Sequence, residues 1–315
     1  MAVLSDLSEP EVGALADRLA ATRIVTLTGP GGVGKTYLAD RVTDAVGLPV
    51  HRVDLSACRD AALVPYAVAD ALHASPEPGA DPVHAVLELL TRSQGLLVLD
   101  TCEHVLTGCA YLVGRLYDTC PELQILATSR KPLDVPGEQL TAVSPLPPER
   151  TAELLQESAA AHDVELPDYW SRLLACRLDG DPLSTLLAAR TLRLIPAQQL
   201  YGTLSAPGGR LTVLTDGPRE PVRHRSLLRA VEWSHDLCSR AERLLWAGLS
   251  AFTGEFTEEQ VRTVFPGGAA LGALVRSSVV LPQGNGTYRL PLAHREYGQL
   301  RLAGLGDAQG ISSLS

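Results

Sequence analysis

The residues with the clearest chemistry lie between positions 29 and 36, where the chain reads Gly-Pro-Gly-Gly-Val-Gly-Lys-Thr. This octet fits the pattern G-x-x-x-x-G-K-[ST], in which backbone N–H groups of a glycine-rich loop cradle the α- and β-phosphates of a nucleotide. Lys35 is expected to reach the β- and γ-phosphates, and the Thr36 hydroxyl is expected to bind Mg²⁺. The predicted nucleotide-binding residues are Gly29, Gly31, Gly32, Val33, Gly34, Lys35, Thr36 and Tyr37, and the predicted ligand is a polyphosphate.

The flanking segments supply the context that this loop requires. An apolar run from Ile24 to Thr28 predicts a strand before the loop, and a helical pattern from Thr36 to Val46 follows it. A strand, loop and helix in this order are what a phosphate-binding loop needs, since the helix N-terminus adds partial positive charge. The alternative is an accidental glycine-rich turn between a strand and a helix.

A carboxylate ends the apolar run from Gly95 to Asp100. The run lacks alternation, which is typical of a parallel strand that is buried on both faces. Ligands of open α/β sheets lie beyond the carboxyl ends of the strands, so Asp100 is expected beside the phosphate loop, where it could hold Mg²⁺ through water. The alternative is a helix-capping aspartate.

An arginine follows the next predicted strand, which runs from Gln124 to Thr128. A planar guanidinium at a strand end can grip a γ-phosphate with two hydrogen bonds, so Arg130 is a candidate sensor of that group. The alternative is an ordinary solvated arginine.

The wider pattern predicts an α/β fold with a P-loop parallel sheet, followed by a helical domain and a winged-helix domain. Strands alternate with helices up to Val143, a series of helical segments follows Pro148, and a hairpin signal, Asn285-Gly286, lies near the C-terminus. The predicted divisions are a lead-in helix at 1–22, the nucleotide-binding domain at 23–145, a helical domain at 146–206, a linker at 207–222, a winged-helix domain at 223–303 and a tail at 304–315.

Composition narrows the class of protein. The chain has 315 residues, with 27 basic and 36 acidic side chains and a net charge of −9, so no global field draws it to nucleic acid or anionic membrane. The N-terminus lacks a secretory signal and no apolar run is long enough to span a bilayer, which predicts a cytoplasmic protein. Arg219, Arg223, Arg225 and Arg229 make the start of the last domain locally basic, but acidic residues interleave with them.

Together these segments resemble the signal-transduction ATPases of the STAND class, in the NB-ARC or apoptotic-ATPase branch. The resemblance covers nearly the whole chain and is carried by the segments 26–36, 97–104, 125–130, 180–183, 231–237 and 295–297. It implies a switch in which ADP is clamped between the three domains and exchange for ATP opens the assembly. It also implies that Arg130 senses the γ-phosphate, that Pro182 packs on adenine and that the winged helix acts as an internal clamp.

Three departures from the family pattern lead to further expectations. Residues 7–11 replace a motif that contacts adenine, so base recognition is expected to differ. Thr101 stands where many relatives have a second acid and Glu103 is the nearest carboxylate, so hydrolysis is expected to be slow. Pro291 and Leu292 align with the His-Asp pair that contacts the ADP phosphate in the family, so a weaker ADP clamp is expected. His294 lies nearby but out of register.

The leading hypothesis is therefore an ATP/ADP-binding regulatory switch with slow Mg²⁺-dependent hydrolysis. Its catalytic candidates are Lys35, Asp100, Arg130 and, more weakly, Glu103, with Thr36 and Asp100 as the Mg²⁺ site. The expected partners are nucleotide and either a partner protein or a second copy in the ATP state, without a membrane. The alternatives are a DNA-binding regulator that uses residues 218–302 and, less favoured, a small-molecule P-loop kinase.

Overall fold

The computed structural model describes residues 9–74, 81–91, 94–217, 225–265 and 270–309. Within these ranges the chain forms two compact units, the first containing residues 9–29 and 34–143 and the second containing residues 30–33 and 144–309. Each unit is described by itself below. Three groups of residues discussed above lie outside the described ranges: residues 7 and 8 of the segment that replaces the adenine-contacting motif, Arg219 and Arg223 of the basic segment, and residues 310–315 of the predicted tail.

A five-stranded parallel sheet forms the centre of the first unit, in the order β2-β3-β4-β1-β5. Its strands are β1 Ile24–Thr28, β2 Val50–Asp54, β3 Gly95–Asp100, β4 Leu123–Ser129 and β5 Glu138–Ala142. All six residues of β3 are buried, as its unbroken apolar run predicts. The predicted parallel sheet is confirmed, and β5 pairs in parallel with β1.

Helices connect these strands. They are α1 Glu9–Thr22, α2 Lys35–Ala45, α3 Val64–Ala71, α4 Pro82–Leu90 and α5 Leu106–Thr119, with a short 3₁₀ turn at Ala61–Leu63. Two separate apolar clusters are formed, one containing residues of α1, α2 and the sheet and the other containing residues of α3, α4, α5 and the sheet. This layering fixes the strand ends from which the candidate site residues project.

The second unit is mainly helical. Its helices are α6 Pro148–Ala160, α7 Asp168–Leu178, α8 Pro182–Thr191, α9 Ala197–Ser205, α10 Gly209–Val213, α11 Leu227–Asp236, α12 Arg240–Leu249, α13 Glu258–Val264, α14 Ala270–Arg276 and α15 Leu292–Gln309. Three short strands, β6 Phe256–Thr257, β7 Leu281–Gln283 and β8 Thr287–Arg289, form an antiparallel sheet in the order β6-β8-β7. The turn between β7 and β8 contains Gly286 at φ 82°, so the predicted hairpin is present.

Two helices extend into segments that the sequence predicts to be irregular. The first, α10, lies inside the predicted linker at 207–222. Its residue Arg210 is buried, donates to the carbonyl of Arg177 and pairs with Glu296. The second, α15, continues to Gln309, past the predicted start of the tail at Gly304. Glycine and proline predict a linker at 207–222, and glycine and serine predict a tail at 304–315, but local preferences of this kind are routinely overridden by tertiary context.

No helix in the described part of the chain combines the length and the apolar character needed to cross a bilayer.

Candidate functional site

The phosphate-binding pattern folds as a loop between β1 and α2. Gly32 has a φ of 92° and Gly34 a φ of 100°, a region that L side chains rarely adopt, so glycine is required at both positions. Gly34 is the N-cap of α2 and supplies no side-chain cap to the first turn of the helix. The Lys35 ammonium donates to the carbonyl oxygen of Gly29 at 2.8 Å, which places this charge against the start of the loop.

Thr36 and Asp100 meet, as the sequence predicts. The Thr36 hydroxyl donates to Oδ1 of Asp100 at 2.9 Å, although the two residues are 64 positions apart in the chain. Asp100 projects from the end of β3 and is 5% exposed, whereas Thr36 lies in the first turn of α2. A second hydroxyl, that of Thr128 at the end of β4, donates to the same carboxylate oxygen. The structure therefore fixes the orientation of Asp100 from two sides.

Arg52 is a further neighbour of Asp100, and no motif in the sequence singles it out. Its Nη2 atom lies 3.4 Å from Oδ2 of Asp100, and its Nη1 atom pairs with Asp40 on α2. In β2, Asp54 is in register with Asp100, and Arg52 lies two residues earlier on the same face. Burial raises the pKa of Asp40, and the nearby Arg52 guanidinium opposes that rise. Because β2 is a partly exposed edge strand, its arginine looked like an ordinary surface charge in the sequence.

Thr101, directly after Asp100, holds a strained backbone. Its φ is 67°, in the left-handed region that is unfavourable for a β-branched residue and costs on the order of 1–3 kcal/mol. The backbone N–H of Thr101 donates to the Thr128 hydroxyl at 2.9 Å, and that hydroxyl in turn donates to Asp100. The strain is thus maintained by the same residue that orients the carboxylate.

Arg130 and Glu103 form a buried ion pair. The Nε atom of Arg130 lies 3.2 Å from Oε1 of Glu103, and the two side chains are 4% and 5% exposed. The alternative that Arg130 is an ordinary solvated arginine is therefore wrong. The role of Arg130 as the γ-phosphate sensor remains a prediction. The weaker catalytic role of Glu103 also remains a prediction.

The Thr36 and Asp100 oxygens are suited to Mg²⁺. Among the described residues there is no group of three or more His, Cys, Asp or Glu side chains that could hold a metal ion by themselves. Mg²⁺ does not require such a cage, because it keeps several waters and usually binds through one or two protein oxygens together with substrate phosphates. A hydroxyl and a carboxylate within hydrogen-bond distance of each other beside a phosphate-binding pattern fit that chemistry.

In the second unit, residues 30–33 at the tip of the loop pack against the start of α8. The backbone N–H of Leu183 donates to the carbonyl oxygen of Gly32 at 3.3 Å. Pro182 is buried, is the first residue of α8 and directly precedes Leu183. Its predicted contact with adenine remains a prediction. Asp181 caps α8, and its Oδ2 accepts from the N–H and the hydroxyl of Ser184.

A narrow pocket opens at this contact. It is lined by the loop residues Pro30, Gly31 and Val33 and by side chains of the helical part, among them Asp181, Ser184, Arg210 and His294. Asp181 is half-buried there, and burial raises its pKa from 3.8 to about 6, against the opposing effect of the Ser184 hydrogen bonds. The sequence identified the neighbouring proline but not this carboxylate.

Leu292 and His294, which lie at or near the positions expected for the ADP clamp, make contacts with other parts of the second unit. The backbone N–H of Leu292 donates to Oδ2 of Asp179 at 2.8 Å, and Arg289 donates to both oxygens of the same carboxylate. His294 is buried, with Nδ1 3.0 Å from the carbonyl oxygen of Val279. Pro291 and His294 nevertheless line the narrow pocket.

Comparisons of sequence give two informative relatives, whereas no protein-family model matches the chain. The Mycobacterium tuberculosis protein named "Putative HTH-type transcriptional regulator Rv0890c" is 33% identical over 314 residues, which cover 92% of this chain and 35% of the relative. The chain thus spans about a third of that protein's length. The uncharacterized protein Rv0894 of Mycobacterium tuberculosis is 31% identical over 320 residues, which cover 93% of this chain and 80% of the relative.

Comparisons of structure show a P-loop ATPase fold. The Walker-type ATPase PABY2304 of Pyrococcus abyssi matches with a TM-score of 0.60 and 13% identity, covering 92% of this chain and 94% of that one. The ORC2 protein of Aeropyrum pernix matches with a TM-score of 0.57 and 14% identity, covering 97% of this chain and 95% of that one. At such low identity the likeness concerns the fold alone.

Proposed function

This chain belongs to the family of the uncharacterized Mycobacterium tuberculosis protein Rv0894, and we propose that it is a cytoplasmic ATP/ADP-binding regulatory switch of the STAND or NB-ARC type. Nucleotide state would control its conformation or its assembly with a partner protein or a second copy. ATP hydrolysis would be slow and Mg²⁺-dependent.

The observation that carries this proposal is the contact between the Thr36 hydroxyl and the Asp100 carboxylate at 2.9 Å. A sequence pattern alone can occur by chance, but this pattern lies between a strand and a helix and meets a buried carboxylate from another strand. Such an arrangement is what phosphoryl-transfer proteins use for Mg²⁺. Two structural neighbours, a Walker-type ATPase and an ORC2 protein in complexes with ADPNP and ADP, support an adenine nucleotide as the ligand.

The chain's own residues would divide the work. Lys35 would donate to the β- and γ-phosphate oxygens in place of its present bond to Gly29, and Thr36 and Asp100 would hold Mg²⁺. When bound, Mg²⁺ would neutralise charge on the phosphates. Asp100 already accepts hydrogen bonds from Thr36 and Thr128 and lies beside Arg52, so its orientation needs little change on loading.

The buried pair of Arg130 and Glu103 suggests how ATP and ADP would be told apart. A γ-phosphate would compete with Glu103 for the guanidinium, whereas ADP would leave the ion pair intact. The switch energy is then limited to the difference in affinity of the two conformations for the two nucleotides. Slow turnover is supported by Thr101, which directly follows Asp100 and offers no second carboxylate there to orient the attacking water.

The test is to identify the nucleotide that co-purifies with the protein and to compare its mass in solution with ADP and with a non-hydrolysable ATP analogue. We expect retained ADP and a change in mass or hydrodynamic radius with the analogue. A protein that retains no nucleotide and behaves identically with both ligands would contradict the proposal.

A second candidate is a DNA-binding regulator that uses a winged helix formed by α11 to α15 and the β7–β8 hairpin. It is favoured by the similarity to Rv0890c, which is named as a putative HTH-type transcriptional regulator and of which this chain covers 35%. DNA binding would show a steep salt dependence and would weaken when Arg225 and Arg229 are replaced by alanine. Arg229 already pairs with Glu232, so we rank this function second.

A further inference from the structure

We propose that Asp181 is a specificity-determining residue of the nucleotide site: its carboxylate, packed on the tip of the phosphate-binding loop, weakens the binding of phosphate anions unless it takes up a proton. This role rests on the proposed nucleotide-binding function. It makes nucleotide affinity depend on pH through one residue that the phosphate-binding pattern does not include.

The first support is close contact with the loop. A Cβ atom added to Gly32 would lie 2.7 Å from Oδ1 of Asp181 and 2.8 Å from Cβ of Leu183. The N–H of Leu183 holds the same glycine through its carbonyl oxygen at 3.3 Å. The Asp181 carboxylate therefore lies against the segment whose backbone N–H groups are expected to cradle phosphate. Because Gly32 has no side chain, the carboxylate has room at this position.

The second support is the set of charges around the carboxylate. Two nearby residues, Asp179 and Arg210, also line the pocket, but each has a partner of its own. Asp179 accepts from Arg289 and from the N–H of Leu292. Arg210 pairs with Glu296.

Asp181 itself is held by neutral donors. Its Oδ2 accepts from the N–H and the hydroxyl of Ser184, and no salt bridge to it is found among the described residues. Besides Asp179, Asp181 and Arg210, the titratable side chain among the described residues that line the pocket is His294. Its Nδ1 lies 3.0 Å from the carbonyl oxygen of Val279. The negative charge of Asp181 is thus left without a compensating cation.

The physical consequence is a proton linked to binding. Burial raises the pKa of Asp181 to about 6, so the free protein carries the ionised form at pH 8. A polyanion in the adjacent loop disfavours that form further and raises the pKa again. Between the two pKa values, each nucleotide bound is accompanied by uptake of up to one proton from solvent onto the Asp181 carboxylate. Affinity then increases as the pH falls from 8 towards 6.

The nucleotide also titrates in this range, because the second ionisation of a phosphate ester has a pKa near 6. Its contribution is separated by replacing Asp181 with asparagine, which keeps an acceptor for the N–H of Ser184 and cannot ionise. A matched control is Asp163→Asn, which makes the same change at an exposed aspartate of the second unit that has positive φ. Asparagine tolerates that conformation.

The experiment is calorimetric titration of ADP into the full chain between pH 5.5 and pH 8, in buffers of different ionisation enthalpy. At pH 8 we expect Asp181→Asn to bind ADP about tenfold more tightly, since removing a like charge beside a bound anion has an effect of that order at an effective dielectric constant of about 20. The difference should vanish near pH 5.5. Proton uptake should also fall in this variant, whereas Asp163→Asn should match the natural protein in both measurements.

A second variant guards against misfolding of the first. Ser184→Ala removes a hydroxyl that stabilises the ionised carboxylate, so the pH dependence should move to higher pH while the charge stays in place. If ADP binds but Asp181→Asn and Ser184→Ala change neither affinity nor proton uptake, the role of Asp181 is wrong and the nucleotide site stands. If none of the proteins binds ADP at any pH, the proposed function itself is wrong.

Discussion

Two aspartates lie beside residues of the phosphate-binding pattern, and their carboxylates have different surroundings. Asp100, in the first unit, accepts hydrogen bonds from the hydroxyls of Thr36 and Thr128 and lies 3.4 Å from the guanidinium of Arg52. Asp181, in the second unit, touches Gly32 and has only Ser184 as its hydrogen-bonding side chain among the described residues. A nearby guanidinium compensates the negative charge of Asp100, whereas no salt bridge to Asp181 is found among the described residues.

This difference suggests different roles for the same side chain. A carboxylate with fixed donors and a nearby cation stays ionised and oriented, which suits a residue that is to face Mg²⁺. A carboxylate with burial but no cation is easily protonated, which suits a residue that responds to the charge of a ligand. Glu103 follows the first pattern, because its partner Arg130 is buried with it.

Replacing Arg130 with glutamine should give the largest effect, because it removes compensation from a buried acid. Glu103 would be left in the interior without its cation, and breaking such a pair costs about 3–5 kcal/mol of unfolding free energy. Chemical denaturation at pH 8 measures this loss. The double variant Arg130→Gln with Glu103→Gln should recover most of it, and an additive loss in the double variant would show that the pairing is not the cause.

Gly32→Ala should have the next largest effect, because it disturbs the contact of Asp181 with the loop directly. The new Cβ would meet Oδ1 of Asp181 and Cβ of Leu183, at a residue whose φ is 92°. We expect a loss of about 2–3 kcal/mol of stability, together with weaker ADP binding. Gly13→Ala on α1 is the control: it has open space around it and should gain about 0.5–1 kcal/mol. Equal stability of the two variants would remove the basis of this contact.

Asp181→Asn should stabilise the protein at pH 8 and not at pH 4. The folded pKa of about 6 lies above the unfolded value of 3.8, so the stability linked to this group is full below pH 3.8 and is lost as the pH rises through 6. Asparagine cannot ionise and avoids that loss, which we place at about 1–2 kcal/mol for a half-buried group. Denaturation curves at both pH values measure it, and a stabilisation of equal size at pH 4 would contradict the ionisation argument.

Arg52→Gln should have the smallest effect on stability. It tests the comparison of the two aspartates by removing the guanidinium beside Asp100. Arg52 is about one third exposed, at 35%, so its pairs with Asp40 and Asp100 should contribute less than about 1 kcal/mol. Without it, Asp100 would lose the guanidinium that lies 3.4 Å from its Oδ2. A loss above about 3 kcal/mol in denaturation would mean that Arg52 is structural rather than a compensating charge.

The sequence predicted the part of the site that strand order determines. Thr36 and Asp100 lie at ends of elements whose types are evident from apolar runs and from the loop pattern, and parallel strands bring such ends to one edge of a sheet. The sheet, the helices after Pro148 and the turn of the β7–β8 hairpin follow from the same local signals.

The rest depends on contacts between distant residues. Arg52 lies on an alternating edge strand, where a charge is usually solvated, and nothing in its surroundings in the sequence indicates Asp100. Asp181 reaches Gly32 across about 150 residues. In a segment rich in glycine and proline, α10 is tied to distant parts of the chain by Arg210, which donates to the carbonyl of Arg177 and pairs with Glu296. Local patterns carry no information about such pairings.

The most direct test of nucleotide binding at this loop is calorimetric titration of ATP and ADP, with Mg²⁺, into the natural protein, Lys35→Ala and Lys131→Ala. Lys131 is the only other lysine of the chain and serves as the matched control. We predict that Lys35→Ala loses at least about tenfold in affinity for both nucleotides, as expected when a charged hydrogen bond to phosphate is removed, and that Lys131→Ala binds normally. Unchanged affinity in Lys35→Ala would contradict the account.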